Sequence, residues 1–464
     1  MQILNRIKKA IIGRWRGRDP ESRQSRRPSW REYQSRLGSS RRTRPRGRRL
    51  LVLAPALLLA LAGLYGLVGA IGTPFQTGKP DLSANQDPVG RQPAGAVLDK
   101  SDVQDLLAGE PLSQLIQPRF TVRFGARRLV VETTIDPELQ ASLVNSFDTR
   151  HSRYIAIVVM NPENGEILAL AGFDRNNADG NPCIGNPFPA ASIFKIVTAA
   201  AAVEKHGYRA GTPLAYNGAK HTLYKSQLKE VKNRYTRNTT LEDAFAQSVN
   251  PVFGKLGAHA LGRETLQHFG EAFGFNQKIH FEIPTATSPL KVDDEPYHWA
   301  EVASGFNRDT QISALHGALL AASLVNGGAM MEPTIIRCIT DETGSELYRN
   351  QTTEMSRPVS ATTTSVLKRL MAETIQSGTA RKAFRGYQKD KVLSGVRIGG
   401  KTGSIDNASH DARLDWFVGY AEDQSEKQKI AVAAIVAHVD YIGKRAAEYA
   451  RGAIVTYFQS RSGT

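Results

Sequence analysis

The chain has 464 residues, 41% hydrophobic and 22% charged, a balance that permits a large core and excludes collagen-like and fully disordered classes. Two cysteines exclude a disulfide-built scaffold, and ten histidines without an HExxH spacing lead us to expect no metal. The net charge is +16, but residues 1–49 hold 17 Lys and Arg against three acids, which leaves +2 for the remainder. Because a nucleic-acid-binding domain carries its charge on a folded face, we expect no nucleic-acid partner.

A long uncharged segment follows the basic tail. Residues 50–71 contain no charged side chain, and a helix of this length spans about 30 Å of hydrocarbon. Arg46, Arg48 and Arg49 flank its N-terminal side, which predicts that the tail lies in the cytoplasm. A cleaved signal peptide is the alternative, but the 49-residue tail and the length of the apolar run favour an uncleaved anchor.

This anchor defines the predicted organisation of the chain. We predict a cytoplasmic tail at residues 1–49, a transmembrane helix at 50–72, a linker with at most one small helix at 73–118, and a folded domain at 119–464. The chain would cross the cytoplasmic (inner) membrane once and place the folded domain outside the cytoplasm, in the periplasm.

The folded region begins with two hairpins. Residues 120–124 and 128–134 flank Gly125-Ala126, which is a hairpin signal. Residues 154–160, a β-branched apolar run, and 167–171 flank the turn sequence Asn161-Pro162-Glu163-Asn164-Gly165. Between the hairpins, Asp136 followed by Pro137 predicts the start of a helix.

Helices then dominate the middle of the chain and strands return near its end. The predicted helices cover approximately residues 190–205, 241–256, 263–273, 312–324, 361–375 and 444–458. The predicted C-terminal strands cover residues 395–401, 416–420 and 430–437. Strands at both ends with helices between them predict an α+β domain, in which helices flank one central antiparallel sheet.

The first candidate motif is Ser192-Ile193-Phe194-Lys195 at the start of a predicted helix. Residues three apart share one face of a helix, so the hydroxyl and the amine can touch. A lysine whose pKa is lowered can act as a base for that hydroxyl. Backbone N–H groups in a first helical turn have no intrahelical partner and can face a developing oxyanion. A solvated helix start is the ordinary explanation of such a spacing when it occurs alone.

Two more motifs follow in chain order. Ser248 and Asn250, separated by one residue and followed by Pro251, can both face one cleft from a short loop or turn. Lys401-Thr402-Gly403-Ser404 ends a predicted strand. A lysine, two hydroxyls and a glycine on an edge strand suit a substrate carboxylate and an extended peptide. Taken singly, each motif also reads as ordinary turn or hairpin chemistry.

Together, the motifs Ser-x-x-Lys, Ser-x-Asn and Lys-Thr-Gly form the set associated with penicillin-binding proteins. The chain resembles the transpeptidase domain of that family over approximately residues 119–464. Further similar stretches are VVMNPENGEILALAG (158–172), FPAASIFKIVTAAAAVE (188–204), SLVNGGAMMEP (323–333), SGTARKA (377–383) and WFVGYAE (416–422). The resemblance implies the penicillin-binding and β-lactamase-like transpeptidase fold.

The resemblance also implies catalytic roles. Ser192 would be the acylated nucleophile and Lys195 the base that takes its proton. Ser248 would relay a proton to the leaving amine, Asn250 would hold the substrate amide and Lys195, and Lys401 would supply positive potential.

The resemblance places substrate binding at the end of the predicted strand that carries Lys401. Thr402 and Ser404 would bind the substrate carboxylate beside Gly403, and the backbone N–H groups of Ser192 and Ser404 would form the oxyanion hole. Two positions depart from the family pattern, since Ser404 stands where threonine is usual and Ala191 where glycine is usual.

The implied reaction is D,D-transpeptidation of peptidoglycan stem peptides through an acyl-enzyme, without a cofactor and with β-lactams as inhibitors. Residues 73–118 are too few for a glycosyltransferase domain, so the chain resembles a monofunctional class B protein with a reduced membrane-proximal pedestal. A cell-wall polymerase is the partner that this class suggests.

Several alternatives remain open at this point. A D,D-carboxypeptidase or a β-lactamase would use the same residues, and a non-catalytic scaffold would retain the fold. Gly395, Gly400, Lys401 and Thr402 also match a P-loop, although a strand-like run lies where the loop belongs. A disulfide between Cys183 and Cys338 is permitted outside the cytoplasm, but sequence gives no distance between them.

Overall fold

The computed structural model describes residues 97–177, 180–185 and 188–461. The predicted tail at 1–49 and the predicted transmembrane helix at 50–72 lie outside the described residues. Within the described ranges, no helix has both the length and the apolar character needed to cross a membrane.

Helices and strands alternate along the described chain. The α-helices are α1 (Lys100–Leu107), α2 (Leu112–Leu115), α3 (Pro137–Asn145), α4 (Lys195–His206), α5 (Leu241–Ala246), α6 (Asn250–Lys255), α7 (Gly262–Ala272), α8 (Pro296–Ser304), α9 (Ala314–Val325), α10 (Ala361–Gln376) and α11 (Ala446–Arg461). The strands are β1 (Arg119–Phe124), β2 (Arg127–Thr133), β3 (Ser152–Met160), β4 (Ile167–Asp174), β5 (Phe188–Pro189), β6 (Pro213–Tyr216), β7 (Arg237–Thr240), β8 (Gln311–Ile312), β9 (Met330–Met331), β10 (Ile336–Asp341), β11 (Glu346–Arg349), β12 (Glu354–Ser356), β13 (Val396–Asp406), β14 (Arg413–Asp423) and β15 (Lys429–His438).

A five-stranded antiparallel sheet joins the two ends of the folded region, which confirms the predicted central sheet. Its strand order is β13-β14-β15-β3-β4, so the C-terminal strands pair directly with the hairpin β3-β4. Strand β13 lies at one edge of this sheet and keeps one side of its backbone free of sheet partners. The Lys-Thr-Gly motif therefore lies on an edge strand, as the sequence indicated.

Both faces of this sheet are buried against helices. On β15, alternate residues fall into two separate apolar clusters, because successive side chains of a strand point to opposite faces. Helix α9, in which every residue is buried, packs on one face, and α11 packs on the other. Helix α10 contacts β13 and α5, so it supports the wall of the site described below.

A second, four-stranded sheet differs from the single sheet that the sequence predicted. Its order is β1-β2-β10-β11, and all its strand pairs are antiparallel. The hairpin β1-β2 was predicted, whereas β10 and β11 were not. These two strands are short and their pairing is interrupted by register shifts, so the alternation that marks a strand in sequence is weak.

The described end of the predicted linker is more ordered than the sequence indicated. Helix α1 begins with a capping box, in which the side chains of Asp99 and Asp102 each accept a backbone N–H. Val103, Leu107 and Leu115 of this segment are buried in the main apolar cluster. Residues 98–115 therefore pack as part of the same core.

The two cysteines do not form a disulfide. Cys183 is fully buried in the main apolar cluster, and Cys338 lies on β10. Both residues have free thiols. Burial raises the pKa of the Cys183 thiol above its ordinary value.

Candidate active site

Ser192 lies in a tight turn immediately before α4. A 3₁₀ turn covers Ala191–Phe194, and α4 continues from Lys195. Ala191 has a φ of 48°, which costs a residue with a Cβ about 1 kcal/mol or more. This backbone conformation explains why glycine is usual at the position. The sequence predicted one helix from residue 190, and the structure places this strained turn at its start.

Gly305 fixes this turn from the other side. Gly305 ends α8 with a φ of 64°, and a Cβ at this position would lie 1.7 Å from the Ala191 carbonyl oxygen. Only glycine allows the two backbones to approach so closely. The end of α8 thereby holds the nucleophile turn in place.

Lys195 connects the first two motifs. Its Nζ lies 2.8 Å from Ser192 Oγ and 2.8 Å from Asn250 Oδ1. A third contact joins the same Nζ to the Ser304 carbonyl oxygen. The amine is fully buried and lies over the ring of Phe253, with 5.6 Å between Nζ and the ring centroid. Every polar partner of this amine is therefore uncharged.

Burial and a neighbouring cation both favour the neutral amine. Burial first, and the positive charge of Lys401 second, hold the pKa of Lys195 well below its ordinary value. Among the described residues, no carboxylate forms an ion pair with Lys195 that would restore the charged form. Lys195 can therefore accept the proton of the adjacent serine hydroxyl.

A break in a helix positions the second motif. The sequence predicted a helix over residues 241–256, but α5 ends at Ala246 and α6 begins at Asn250. Ser248 occupies the break with a φ of 54°. Pro251 lacks an N–H group and fits the first turn of α6, where the missing donor costs nothing. The short turn predicted for the motif is confirmed, and the continuous helix is wrong.

Lys401 crosses from β13 to this turn. Its Nζ donates to Ser248 Oγ at 3.1 Å and to the Thr402 carbonyl oxygen at 2.8 Å. The side chain is fully buried beneath Phe245, and burial lowers its pKa to about 7. Each serine hydroxyl of the site is therefore hydrogen-bonded to one buried lysine: Ser192 to Lys195, and Ser248 to Lys401.

The remaining motif residues lie along the same edge strand. Ser404 is exposed, Thr402 is half-buried and Gly403 is buried. A Cβ at Gly403 would come within 3.4 Å of Ile193 and Ala191, so the glycine lets β13 pass close to the nucleophile turn. The motif residues therefore lie in three neighbouring places: the turn before α4 with the first residue of α4, the α5–α6 break with the first residue of α6, and β13.

The P-loop reading fails on this geometry. A phosphate-binding loop needs a strand before its first glycine and a helix after its Lys-Thr pair. One continuous strand, β13, instead runs through Gly400, Lys401 and Thr402 to Asp406.

The structure adds three residues that the motif search missed. Thr379 lies with its Oγ1 2.5 Å from Thr402 Oγ1, and it belongs to the stretch at 377–383 that resembles the family. The Ser304 carbonyl oxygen contacts Lys195 but has no sequence signal, because the backbone supplies it. His221 lies near Lys195, and its pKa is lowered by burial first and by nearby lysines second.

Comparison with known proteins identifies this arrangement. A sequence model of the penicillin binding protein transpeptidase domain matches residues 155–456. The chain belongs to this family. The recognised domain contains all three motifs, and its solved members share the fold described above.

Individual relatives of the transpeptidase family are distant. Stage V sporulation protein D of Bacillus subtilis is 24% identical over 66% of this chain and 49% of its own length. Peptidoglycan D,D-transpeptidase PbpA of Mycolicibacterium smegmatis is 24% identical over 65% of this chain and 66% of its own length. The chain thus spans from about half to about two thirds of these relatives.

Two solved structures show the shared fold. The D,D-transpeptidase domain of a peptidoglycan glycosyltransferase from Eggerthella lenta superposes with a TM-score of 0.60 at 22% identity, covering 72% of this chain and 84% of its own. Penicillin-binding protein A from Mycobacterium tuberculosis, as its penicillin G acyl-enzyme complex, gives a TM-score of 0.55 at 22% identity, covering 78% and 86%.

Proposed function

We propose that this chain is a peptidoglycan D,D-transpeptidase that acts through an acyl-enzyme on Ser192. The observation that carries the proposal is the contact of 2.8 Å between Ser192 Oγ and the buried Lys195 amine, whose pKa is well below its ordinary value. A serine hydroxyl is a weak nucleophile until a neighbouring base takes its proton. Lys195 is placed to act as that base, because burial and the charge of Lys401 lower its pKa and favour the neutral amine.

The reaction can be followed through the two lysines. Lys195 takes the proton of Ser192 as the oxygen attacks the carbonyl between two terminal D-Ala residues, and a tetrahedral intermediate forms. Its collapse breaks the peptide bond. Ser248 donates its hydroxyl proton to the departing D-Ala amine and takes a proton from Lys401 in return. An amine of a second stem peptide then attacks the acyl-enzyme and gives up a proton through Ser248 to Lys401, while the bond between the acyl group and Ser192 Oγ breaks and Lys195 returns its proton to that oxygen. No step needs a metal or an organic cofactor.

The edge of β13 would bind the donor peptide. A peptide in extended conformation can pair with the free side of β13, and its terminal carboxylate would meet Thr402 and Ser404 near the charge of Lys401. Backbone N–H groups of Ser192 and Ser404 would stabilise the oxyanion. Asn250 would hold the substrate amide while it orients Lys195.

The printed names of relatives support this substrate class. PbpA of Mycolicibacterium smegmatis is named a peptidoglycan D,D-transpeptidase. Penicillin G is described as an acyl-enzyme on penicillin-binding protein A of Mycobacterium tuberculosis. By extension, β-lactams would acylate Ser192 and inhibit this chain.

Anchoring belongs to the same proposal and rests on sequence. Residues 1–49 would lie in the cytoplasm, 50–72 would cross the cytoplasmic membrane once, and 73–118 would connect the anchor to a transpeptidase domain at 119–464 on the outer (periplasmic) side. A cell-wall polymerase held in the same membrane would supply the glycan strands.

An assay with a donor peptide ending in D-Ala-D-Ala and a labelled acceptor amine distinguishes a transpeptidase from a carboxypeptidase and from a scaffold. We expect release of D-Ala together with transfer of the donor to the label, and neither with Ser192→Ala. Release without transfer would identify a D,D-carboxypeptidase. Absence of both, with the protein folded, would contradict acyl transfer and favour a scaffold.

A further inference from the structure

Positive charge is concentrated in a segment beside the active site, which we call the basic lobe and define as residues 217–237. It contains six Lys and Arg and one acid, Glu230, a net of +5, whereas the whole chain after residue 49 carries only +2. The cations are Lys220, Lys225, Lys229, Lys232, Arg234 and Arg237. The lobe therefore differs in charge from the nearly neutral domain around it.

The cations of the lobe are available to a partner. In the described part of the chain, none of the six forms an ion pair with a carboxylate, and five of them are exposed. Glu230 already pairs with Lys255 of α6, with 3.3 Å between the charged atoms. The lobe thus presents uncompensated positive charge to solvent.

Internal hydrogen bonds give the lobe a defined shape. The amide of Gln227, only 5% exposed, accepts from Tyr224 N–H and Thr222 Oγ1 and donates to the Asn217 and Ala219 carbonyl oxygens. Further along, Asn217 donates to the Val231 carbonyl oxygen and accepts from Thr236 Oγ1. A cavity of about 560 Å³ lies within this framework.

The lobe is continuous with the catalytic wall. The Asn250 N–H donates to the Lys220 carbonyl oxygen at 2.7 Å, and Lys220 Nζ donates to Gln247 Oε1 at 3.2 Å. His221 extends the contact, since the charges of Lys195 and Lys401 both help to lower its pKa. The lobe therefore adjoins the α5–α6 turn that carries Ser248 and Asn250.

Exposed aromatic rings accompany the charge. Tyr235 is 64% exposed beneath the guanidinium of Arg234, and Tyr224 is 43% exposed at the lining of the cavity. Aromatic rings pack on the apolar C–H faces of sugars, while lysine and arginine bind carboxylates. A glycan strand that carries carboxylate-bearing peptides offers both groups together.

We propose that the basic lobe binds the carboxylates of stem peptides on a glycan strand and so guides the polymeric substrate to the cleft. The inference rests on the proposed function, because it assigns that substrate to a second surface. Two partners could bind this charge: a substrate that enters the cleft, or the anionic surface of a membrane. The contact between the lobe and Asn250 favours the substrate, because a membrane surface would not need to approach the nucleophile.

Sedimentation of the full chain in detergent with insoluble peptidoglycan tests this proposal. The lobe variant combines Lys225→Gln, Lys229→Gln, Lys232→Gln and Arg234→Gln. The matched control removes the same charge from the exposed β1-β2 hairpin, as Arg119→Gln, Arg123→Gln, Arg127→Gln and Arg128→Gln. Both variants keep the basic tail at residues 1–49, so a difference in their binding to peptidoglycan is due to the lobe.

We expect the lobe variant to bind peptidoglycan about tenfold more weakly at low salt, and the control to stay within about twofold of the unaltered chain. Enzymatic removal of the stem peptides from the glycan should weaken binding of the unaltered chain by a similar factor. Equal losses in both variants, or binding that survives removal of the peptides, would overturn the proposal.

Vesicles containing an anionic phospholipid provide the competing outcome. Binding to vesicles that depends on the lobe, with peptidoglycan binding unchanged, would assign the surface to the membrane and overturn the proposal. The penicillin adduct of Ser192, measured on the same samples, reports the proposed function separately. Loss of the adduct with lobe-dependent sedimentation intact would count against the transpeptidase and not against the lobe.

Discussion

Replacing Lys195 with arginine is expected to slow acylation of Ser192 by penicillin by about 10³-fold. Arginine stays positively charged and does not lose a proton at accessible pH, whereas the lysine amine is buried with a lowered pKa, 2.8 Å from Ser192 Oγ. The rate of adduct formation, followed by mass or by a fluorescent penicillin, measures the effect.

Lys205→Arg is the matched control for this substitution. Lys205 lies at the other end of α4 and donates to Thr265 Oγ1 at 2.7 Å, a contact that arginine can replace. We expect its acylation rate to match that of the unaltered chain. Nearly normal acylation of Lys195→Arg would remove Lys195 from the role of base and leave it as a source of positive charge.

An isosteric change, Asn250→Asp, should be almost as damaging because it acts on the same amine. Asn250 Oδ1 lies 2.8 Å from Lys195 Nζ, and a carboxylate there would raise the pKa of Lys195 and keep it protonated. We expect acylation at pH 7 to fall by about 10²-fold. Since the raised pKa delays loss of the proton, the rate should recover only at higher pH, which a profile from pH 6 to 10 would detect.

Asn164→Asp controls for the chemical change alone. Asn164 lies in the β3–β4 turn, where its side-chain oxygen accepts from the Glu166 N–H at 3.1 Å, and aspartate keeps that acceptor. Its pH profile should match that of the unaltered chain. An Asn250→Asp profile with no displacement toward higher pH would contradict the assignment of Lys195 as the group that titrates.

The central sheet and the site residues could be predicted from sequence because their signals are local. The runs on β3 and β4, with a turn between them, identify the hairpin, and β-branched residues mark β15. The three motifs identify Ser192, Ser248 and Lys401 by residue type and spacing. Their meeting in one cleft followed from the family resemblance, since spacing alone does not reveal which elements touch.

The features that sequence missed depend on tertiary contacts. The break between α5 and α6 places Ser248 at a positive φ, while the flanking residues favour a helix. The strained turn at Ala191 depends on Gly305, which lies more than a hundred residues away in the chain. The lowered pKa of Lys195 depends on burial and on Lys401, and neither can be derived from a spacing of three residues.

Intact mass of the full chain after exposure to penicillin tests the central claim most directly. The β-lactam carbonyl would meet Ser192, and its carboxylate would meet Thr402 and Ser404, so attack should open the strained ring and leave one penicillin covalently bound. No motif supplies a dedicated hydrolytic base, so we expect a one-to-one adduct that persists for minutes or longer and is absent in Ser192→Ala. A folded chain without an adduct, rapid turnover of the drug, or an adduct that survives Ser192→Ala would contradict the account.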